Sequence, residues 1–430
     1  MTDRILDAVR RRVAGADAVR HTDQTLTMQL DDRGVASLSE TEHVRRQIRL
    51  LAEGRMGWAG GDHRPDAELV DEAWMSLRTG EVCDILLPAP APLPAVPTSS
   101  AEVECSGPAE LEIRARSLRD RLRRKGRRVT VWIERSFGST RVANTRGVVA
   151  EFPSTLAGLG ASVEGGGTSS AGHPVCDQIQ GVEFPSLHAL EALVSDLEAR
   201  LALPELADSP LPSRLPVLLA PGAVAQLLRP LRAAMTAPET LDPAQADLRE
   251  GGLASGITLT DDPWVPLRPG SRPVDDEGVV TAPTVLVSGG RLVGRIADLA
   301  TGARCGIPST GHGRRGGSDP VRPGWSNVRM DAGTETGEEL RLRVGNGLFV
   351  RDLEMLPGNV TGGGFLARVR WGARMADGEL VGSVSGVEIG GNVFDLLRRI
   401  IGIGDSPLWV GAQELPFLAL EGVRVRLWNR

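Results

Sequence analysis

From residue 256 to its end the chain is a succession of short alternating segments cut by glycine, and this β-rich pattern constrains its fold most. TVLVSGGRLVGRIAD predicts a hairpin about Gly289-Gly290, and RLRVGNGLFVRDLEM predicts strands turning at Gly345–Gly347. FLARVRWGARMADGELVGSVSGVEI predicts a turn at Asp377-Gly378. A helix over 392–404 (NVFDLLRRIIGIG) interrupts the run, and FLALEGVRVRL closes it as a strand.

The first half is more mixed. Residues 2–19 and 40–55 read as helices, with two short strands between them around Asp32-Arg33-Gly34. The proline-rich run 87–100 cannot sit in a sheet centre; it suits a domain linker or a long surface loop, and the loop is the reading adopted. Residues 129–152 read as three strands broken at Gly138-Ser139 and Asn144–Gly147, and the Gly- and Ser-rich tract 155–172 as a mobile loop. Ser186 is a candidate cap for a helix that places Leu187, Leu190, Val194, Leu197 and Leu201 on one side. Residues 215–220 form a short apolar strand, and 221–235 a helix begun by Pro221 and split or kinked at Pro230. The proline-punctuated stretch 204–214 marks the best boundary. The expected architecture is α+β: an N-terminal mixed α/β domain, 1–205, followed by a β-rich, mostly antiparallel C-terminal domain, 206–430.

Composition is that of a globular protein, with 41% hydrophobic and 24% charged residues, and no apolar stretch long enough to span a bilayer. The amphipathic start is not a signal peptide. Four scattered cysteines (Cys83, Cys105, Cys176, Cys305) form no CxxC pair, which fits a reducing compartment; the expected location is cytoplasmic. Lys125 is the only lysine and tyrosine is absent, a bias that looks like codon pressure and carries no function. Segment 114–128 sets nine basic residues against Asp120 alone, +8 of a chain whose net charge is −6. Ile113, Leu118 and Leu122 recur in it at helical spacing and no aromatic residue is interleaved, so it reads as a solvated helix face; nucleic acid is not the expected partner.

Several residue groups carry side chains capable of chemistry. Asp275-Asp276-Glu277 can bind a cation or a peptide amine, but adjacent carboxylates repel, and pairing with arginines such as Arg268 or Arg272 is the plainer account. Asp261-Asp262-Pro263-Trp264 reads as a turn leading to an aromatic anchor. Cys305 and His312 are seven residues apart across Ser309-Thr310-Gly311, the spacing of a conceivable dyad, but no GxSxG elbow exists. His21 near Asp23 and His63 beside Asp62 pair imidazole with carboxylate, and both read as exposed polar loops. Gly362-Gly363-Gly364 and Gly390-Gly391-Asn392 lack the lysine of a phosphate loop; they suit close backbone packing or an edge on which an extended peptide lies.

Taken in order, DDPWVPLRPGSRPVDDEG (261–278), LATGARCGIPSTGHG (299–313), WSNVRMDAG (325–333), LPGNVTGGG (356–364) and GSVSGVEIGGNVFDL (382–396) resemble the TldD/PmbA family, whose zinc-bearing members form two-subunit peptidases. The zinc subunit of that family carries HExxxH on the helix after a strand like LPVLLA, and a further cysteine near its C-terminus. This chain has no HExxxH; about Arg229 and Ala234 stand at the histidine positions and about Pro230 at the glutamate, and no cysteine follows Cys305. The resemblance therefore implies the metal-free, TldE-type subunit, with no cofactor of its own and zinc in a TldD-like HExxxH partner. It further implies a substrate that is an unfolded or modified peptide or a small amide, and a cleft shaped or lined by Asp275, Asp276, Glu277, Ser309, Thr310, His312, Asn327, Gly362 and Gly363. The partner interface is expected on apolar C-terminal surface, to be lost on cutting after residue 404. A stand-alone peptide- or metabolite-binding protein is the alternative.

Overall fold

The computed structural model describes residues 2–165, 174–206, 211–236, 252–316, 319–357 and 361–428. The first half is one antiparallel sheet of β1 (Gly15–Asp31), β2 (Gly34–Ala52), β3 (Arg55–Asp62), β4 (Arg128–Asn144), β5 (Val149–Glu164) and β6 (Val175–Gly181), in the order β3-β2-β1-β4-β5-β6. Helices α1 (Thr2–Val9), α2 (Asp66–Leu77), α3 (Ala101–Cys105), α4 (Pro108–Leu122) and α5 (Leu187–Ala202) complete it. Alternation decides what each face meets. On β1, Ala16, Ala18, Leu26, Met28 and Leu30 face helices, the first two in the cluster with α1 and α2, the others in that with α4 and α5. Asp17 and Val19 point the opposite way, toward the second half.

Several expectations change here. Residues 40–52 are strand, not helix: Ile48, Leu50 and Ala52 face one side while Gln47, Arg49 and Leu51 are buried on the other. Burial of both faces, with a charge inside one of them, conceals the period of two. Residues 15–19 are likewise strand, and only 2–9 are helical. Gly138 makes no turn; β4 runs through it because its missing Cβ would stand 1.7 Å from Thr22 O. Residues 155–164 belong to β5, while 166–172 lie outside the described residues. In α4 Leu118 and Leu122 are buried together with Leu111 and Ala115, whereas Ile113 is 69% exposed. Apart from the buried Arg119, the basic run is that helix's polar side and the turn after it, where Arg116 meets Glu112 and Arg127 meets Glu198. Ser186 caps α5 by accepting from Ala189 N at 3.2 Å. The proline-rich run 87–100 is irregular and lies against the sheet, Pro88 O accepting from Asn144 Nδ2 (2.9 Å) and Pro153 O from Thr98 Oγ1 (2.6 Å).

In the second half, β7 (Arg214–Leu219) leads into α6 (Pro221–Leu227) and α7 (Arg229–Met235), divided at Leu228 just before Pro230. β7 lies between strand Gly347–Met355, its parallel neighbour, and strand Leu418–Leu427. The order continues through Val387–Asn392 to Gly364–Ala376, which pairs back with Gly347–Met355 and closes the sheet on itself. A second sheet, from Leu259–Asp261 to Leu408–Val410, shares the same large core with α6 and α7. The fold is α+β, as expected.

The hairpins at Gly289-Gly290 and Asp377-Gly378 form where predicted. Residues 337–344 are a helix, not a strand: Thr336 and Glu339 cap it reciprocally, and Leu340 and Val344 share its buried side. The later helix stops at Arg398, and Ile400–Ile403 pairs as strand with Leu418–Leu427.

Candidate functional site

The turn before Val279 is held by its own first carboxylate. Asp275 Oδ1 accepts from Glu277 N and Val279 N, both at 2.9 Å, and Gly278 takes φ 81°, a conformation a side chain would strain. Asp275 Oδ2 accepts from Gly313 N (2.8 Å), joining the turn to the loop of His312. Asp276 accepts from Arg272 Nη1 (2.9 Å) and Arg315 N (2.8 Å). Glu277 accepts from Arg49 Nη1 (2.5 Å) and Leu299 N (2.7 Å). Arg49 reaches Asp17 with Nε at 2.9 Å, and Arg315 donates to the other oxygen of Asp17. Four charged residues from separate parts of the chain, Asp17, Arg49, Glu277 and Arg315, thus form one buried chain between the N-terminal sheet and the C-terminal loops. Of the two arginines expected beside the acidic cluster, Arg272 is there and Arg268 stacks on Trp409.

Burial, with the carboxylates of Asp275 and Asp298, pushes Glu277 up to about 8, against Arg49 and the N–H of Leu299. Burial acts on Asp276 too, but Arg272, His21 and Arg314 outweigh it and hold that carboxyl at about 2. Asp275 is raised by burial, opposed by its three backbone N–H donors.

His312 is buried, with Nδ1 hydrogen-bonded and Nε2 without a hydrogen-bond partner among the described residues. Nδ1 lies 2.8 Å from Thr310 O, an atom that can only accept, so Nδ1 carries hydrogen; Nε2 lies 3.3 Å from Asp261 Oδ2. Ser309 Oγ and Thr310 Oγ1 both donate to Ala297 O. Asn327 donates to Asp262 O and Ser271 Oγ and accepts from Gly270 N, closing the 261–271 loop on itself. Trp264 anchors that loop through Nε1 on Thr281 Oγ1 at 3.2 Å. Asp275, Asp276, Glu277, Ser309, Thr310, His312 and Asn327 therefore belong to one set of linked loops, with the three acids, His312 and Asn327 inside it.

Gly362 and Gly363 sit elsewhere, beside Asn392. Asn392 donates to Gly362 O (2.6 Å) and caps the helix Val393–Arg398, while a Cβ on Gly363 would strike Phe394. This is close backbone packing, and Gly390 is paired on both sides rather than at an edge. His21 lies within β1, its Nδ1 2.9 Å from Thr140 Oγ1, and Asp62 pairs with Arg45. Sequence reading missed Asp17, Arg49 and Arg315 and took Asp261 only as part of a turn; Asp17 lies 298 residues from Arg315 and Arg49 lies 228 from Glu277, so neither gives a local signal of that contact.

Leu228, Leu231 and Met235 are core residues, Arg229 is exposed beside Gln226, and Pro230 has no donor, so these residues do not fit zinc. Among the described residues no group of three or more His, Cys, Asp or Glu is arranged to hold a metal ion. Nor is any helix among them long and apolar enough to cross a membrane.

The family model for the PmbA/TldA metallopeptidase C-terminal domain matches residues 212–427, half of the chain. The chain belongs to the PmbA/TldD family. A Methanothermobacter thermautotrophicus protein named metalloprotease is 30% identical over 168 residues, 39% of this chain and 37% of its own length. A Haemophilus influenzae metalloprotease TldD homolog is 27% identical over 150 residues, 35% of this chain and 31% of its own. The chain thus spans about a third of the curated relatives it matches. Crystalline TldE from Thermococcus kodakarensis shares the fold, with a TM-score of 0.80 at 20% identity over 98% of this chain and 99% of that one.

Proposed function

We propose that the chain is the metal-free, TldE-type subunit of a two-subunit hydrolase of the PmbA/TldD family. In this reading a TldD-like HExxxH partner supplies zinc, activated water and the glutamate base. The observation that carries it is the β7–α6–α7 unit, present in shape while Arg229 and Pro230 stand about where the family's zinc subunit has a ligand and the base. This chain would complete the cleft and hold an unfolded or modified peptide, or a small amide. The buried Asp275–Glu277 turn and the His312–Asp261 contact would hold the cleft wall in shape, acting through the backbone and not on substrate. A cytoplasmic location belongs to the same proposal, supported by four free cysteines.

The test is zinc content and peptidase activity of this chain alone and after co-purification with an HExxxH-bearing partner from the same genome. Zinc and activity in the pair only is the expected result. A full complement of zinc with hydrolysis by the chain alone would overturn the reading. Peptide binding by a chain that ignores every such partner would favour the stand-alone binding protein instead.

A further inference from the structure

Two adjacent rows of side chains on the outer face of the closed sheet differ at one position. Strands Gly364–Ala376, Val387–Asn392 and Leu418–Leu427 run side by side, so Arg368 lies opposite Glu388 and Glu388 opposite Arg426. Glu388, only 2% exposed, accepts from Arg426 Nε at 2.8 Å and from Arg368 Nε at 3.4 Å. Two residues along each strand the same face recurs. There the row reads Leu366, Gly390, Arg424, and continues to Arg214 on β7. Glycine stands where the neighbouring row has its carboxylate.

The consequence is electrostatic. Arg424 and Arg214 are like charges directly opposite one another, which destabilises a sheet. Arg399 adds a third, its Nη1 3.5 Å from where a Cβ on Gly422 would stand, while Arg214 Nη1 donates to Gly422 O at 3.0 Å. Among the described residues no carboxylate pairs with any of the three; Asp395, on the same rim, is bonded to Arg398. The arginines edge an open groove of about 500 Å³ whose floor includes the backbone of Gly364, Gly390 and Gly391.

We propose that this groove binds a ligand carboxylate above Gly390, where it takes the place that Glu388 takes one step along the sheet. Guanidinium and carboxylate match as planar forks with two parallel N–H···O bonds. The ligand class is a peptide with a free C-terminal carboxylate or an acidic side chain, and the glycine floor leaves room for its main chain. The choice of a peptide rests on the proposed function; carboxylate binding itself needs neither zinc nor partner, so either reading can fail alone.

The experiment is calorimetric titration of the full chain at constant ionic strength with three probes. These are acetyl-Ala-Ala-Ala as free acid, the same peptide as its C-terminal amide, and acetyl-Ala-Asp-Ala amide. The free acid should bind at least about tenfold more tightly than its amide, and Arg424→Gln or Arg399→Gln should remove about that factor. Binding of the aspartyl amide would assign the recognised group to side chains as well as C-termini; its failure beside a binding acid would assign it to C-termini. Both arginines are exposed, and unchanged melting temperatures would show that the variants fold. Equal affinity for acid and amide, no binding of either carboxylate probe, or full affinity in the folded variants would overturn the proposal.

Discussion

Asp276 and Glu277 are neighbours in the chain with opposite electrostatic fates, because one faces two guanidiniums and the other shares its arginine with Asp17. Asp276 is held at about 2, below its ordinary 3.8. Its contribution to stability, about 2 kcal/mol, is present above pH 3.8 and lost as pH falls through 2. Glu277 is held at about 8, above its ordinary 4.5. The folded state therefore keeps the proton longer than the unfolded chain, and stability from this group is full below pH 4.5 and lost as pH rises through 8. Glu277→Gln, which fixes the neutral form, should gain on the wild type across that window by up to about 1.4 kcal/mol per pH unit. Urea unfolding at pH 5 and pH 8 measures it. Parallel pH slopes in the two proteins would mean that Glu277 is ionised beside Arg49 throughout.

Long strands are built here at the cost of a few special positions. Gly138 lets β4 pass over Thr22 O, where a methyl group would meet backbone at 1.7 Å and neither strand can give way alone. Gly138→Ala should cost about 2–3 kcal/mol in chemical denaturation, as overpacking against main chain does. Ser186→Ala, which removes one cap bond from α5, should cost only about 1 kcal/mol. A neutral Gly138→Ala would show that β1 and β4 separate freely at that point. The helix 337–344 carries its own start signal, Thr336 with Glu339, which the strand reading of 341–355 passed over. Residues 40–52 were not legible in the sequence, since 40–43 are exposed on both faces and 47–52, with Arg49 inside, are buried on both, so neither part alternates cleanly.

The C-terminal tail is not an appendage. Strand Leu418–Leu427 lies between β7 and Val387–Asn392 and puts Leu418, Leu420, Val423 and Val425 into the core. Cutting after residue 404 would therefore test folding and not association. An apolar surface remains at Leu408 and Val410, which are 51% and 39% exposed on the edge strand of the second sheet. If that edge meets the partner, Leu408→Glu with Val410→Glu should weaken association with the HExxxH subunit by at least about tenfold, with little change in melting temperature. Undiminished co-purification of a folded double variant would move the interface elsewhere.

The sequence by itself determined the family, the α+β class and those turns, caps and breaks whose signals are local. Turn residues at Gly289-Gly290 and Asp377-Gly378, the cap at Ser186 and the proline breaks at Pro221 and Pro230 act locally, and local chemistry is legible in a string of residues. The tertiary structure alone decided what the charged residues do. Asp17, Arg49, Glu277 and Arg315 become one buried chain only after two halves of the protein meet, and Arg214, Arg399 and Arg424 become one rim only after two strands pair beside the end of the helix Val393–Arg398. Charge acts through space at a strength set by burial and by the nearest counter-charge, and neither is written in the order of the residues.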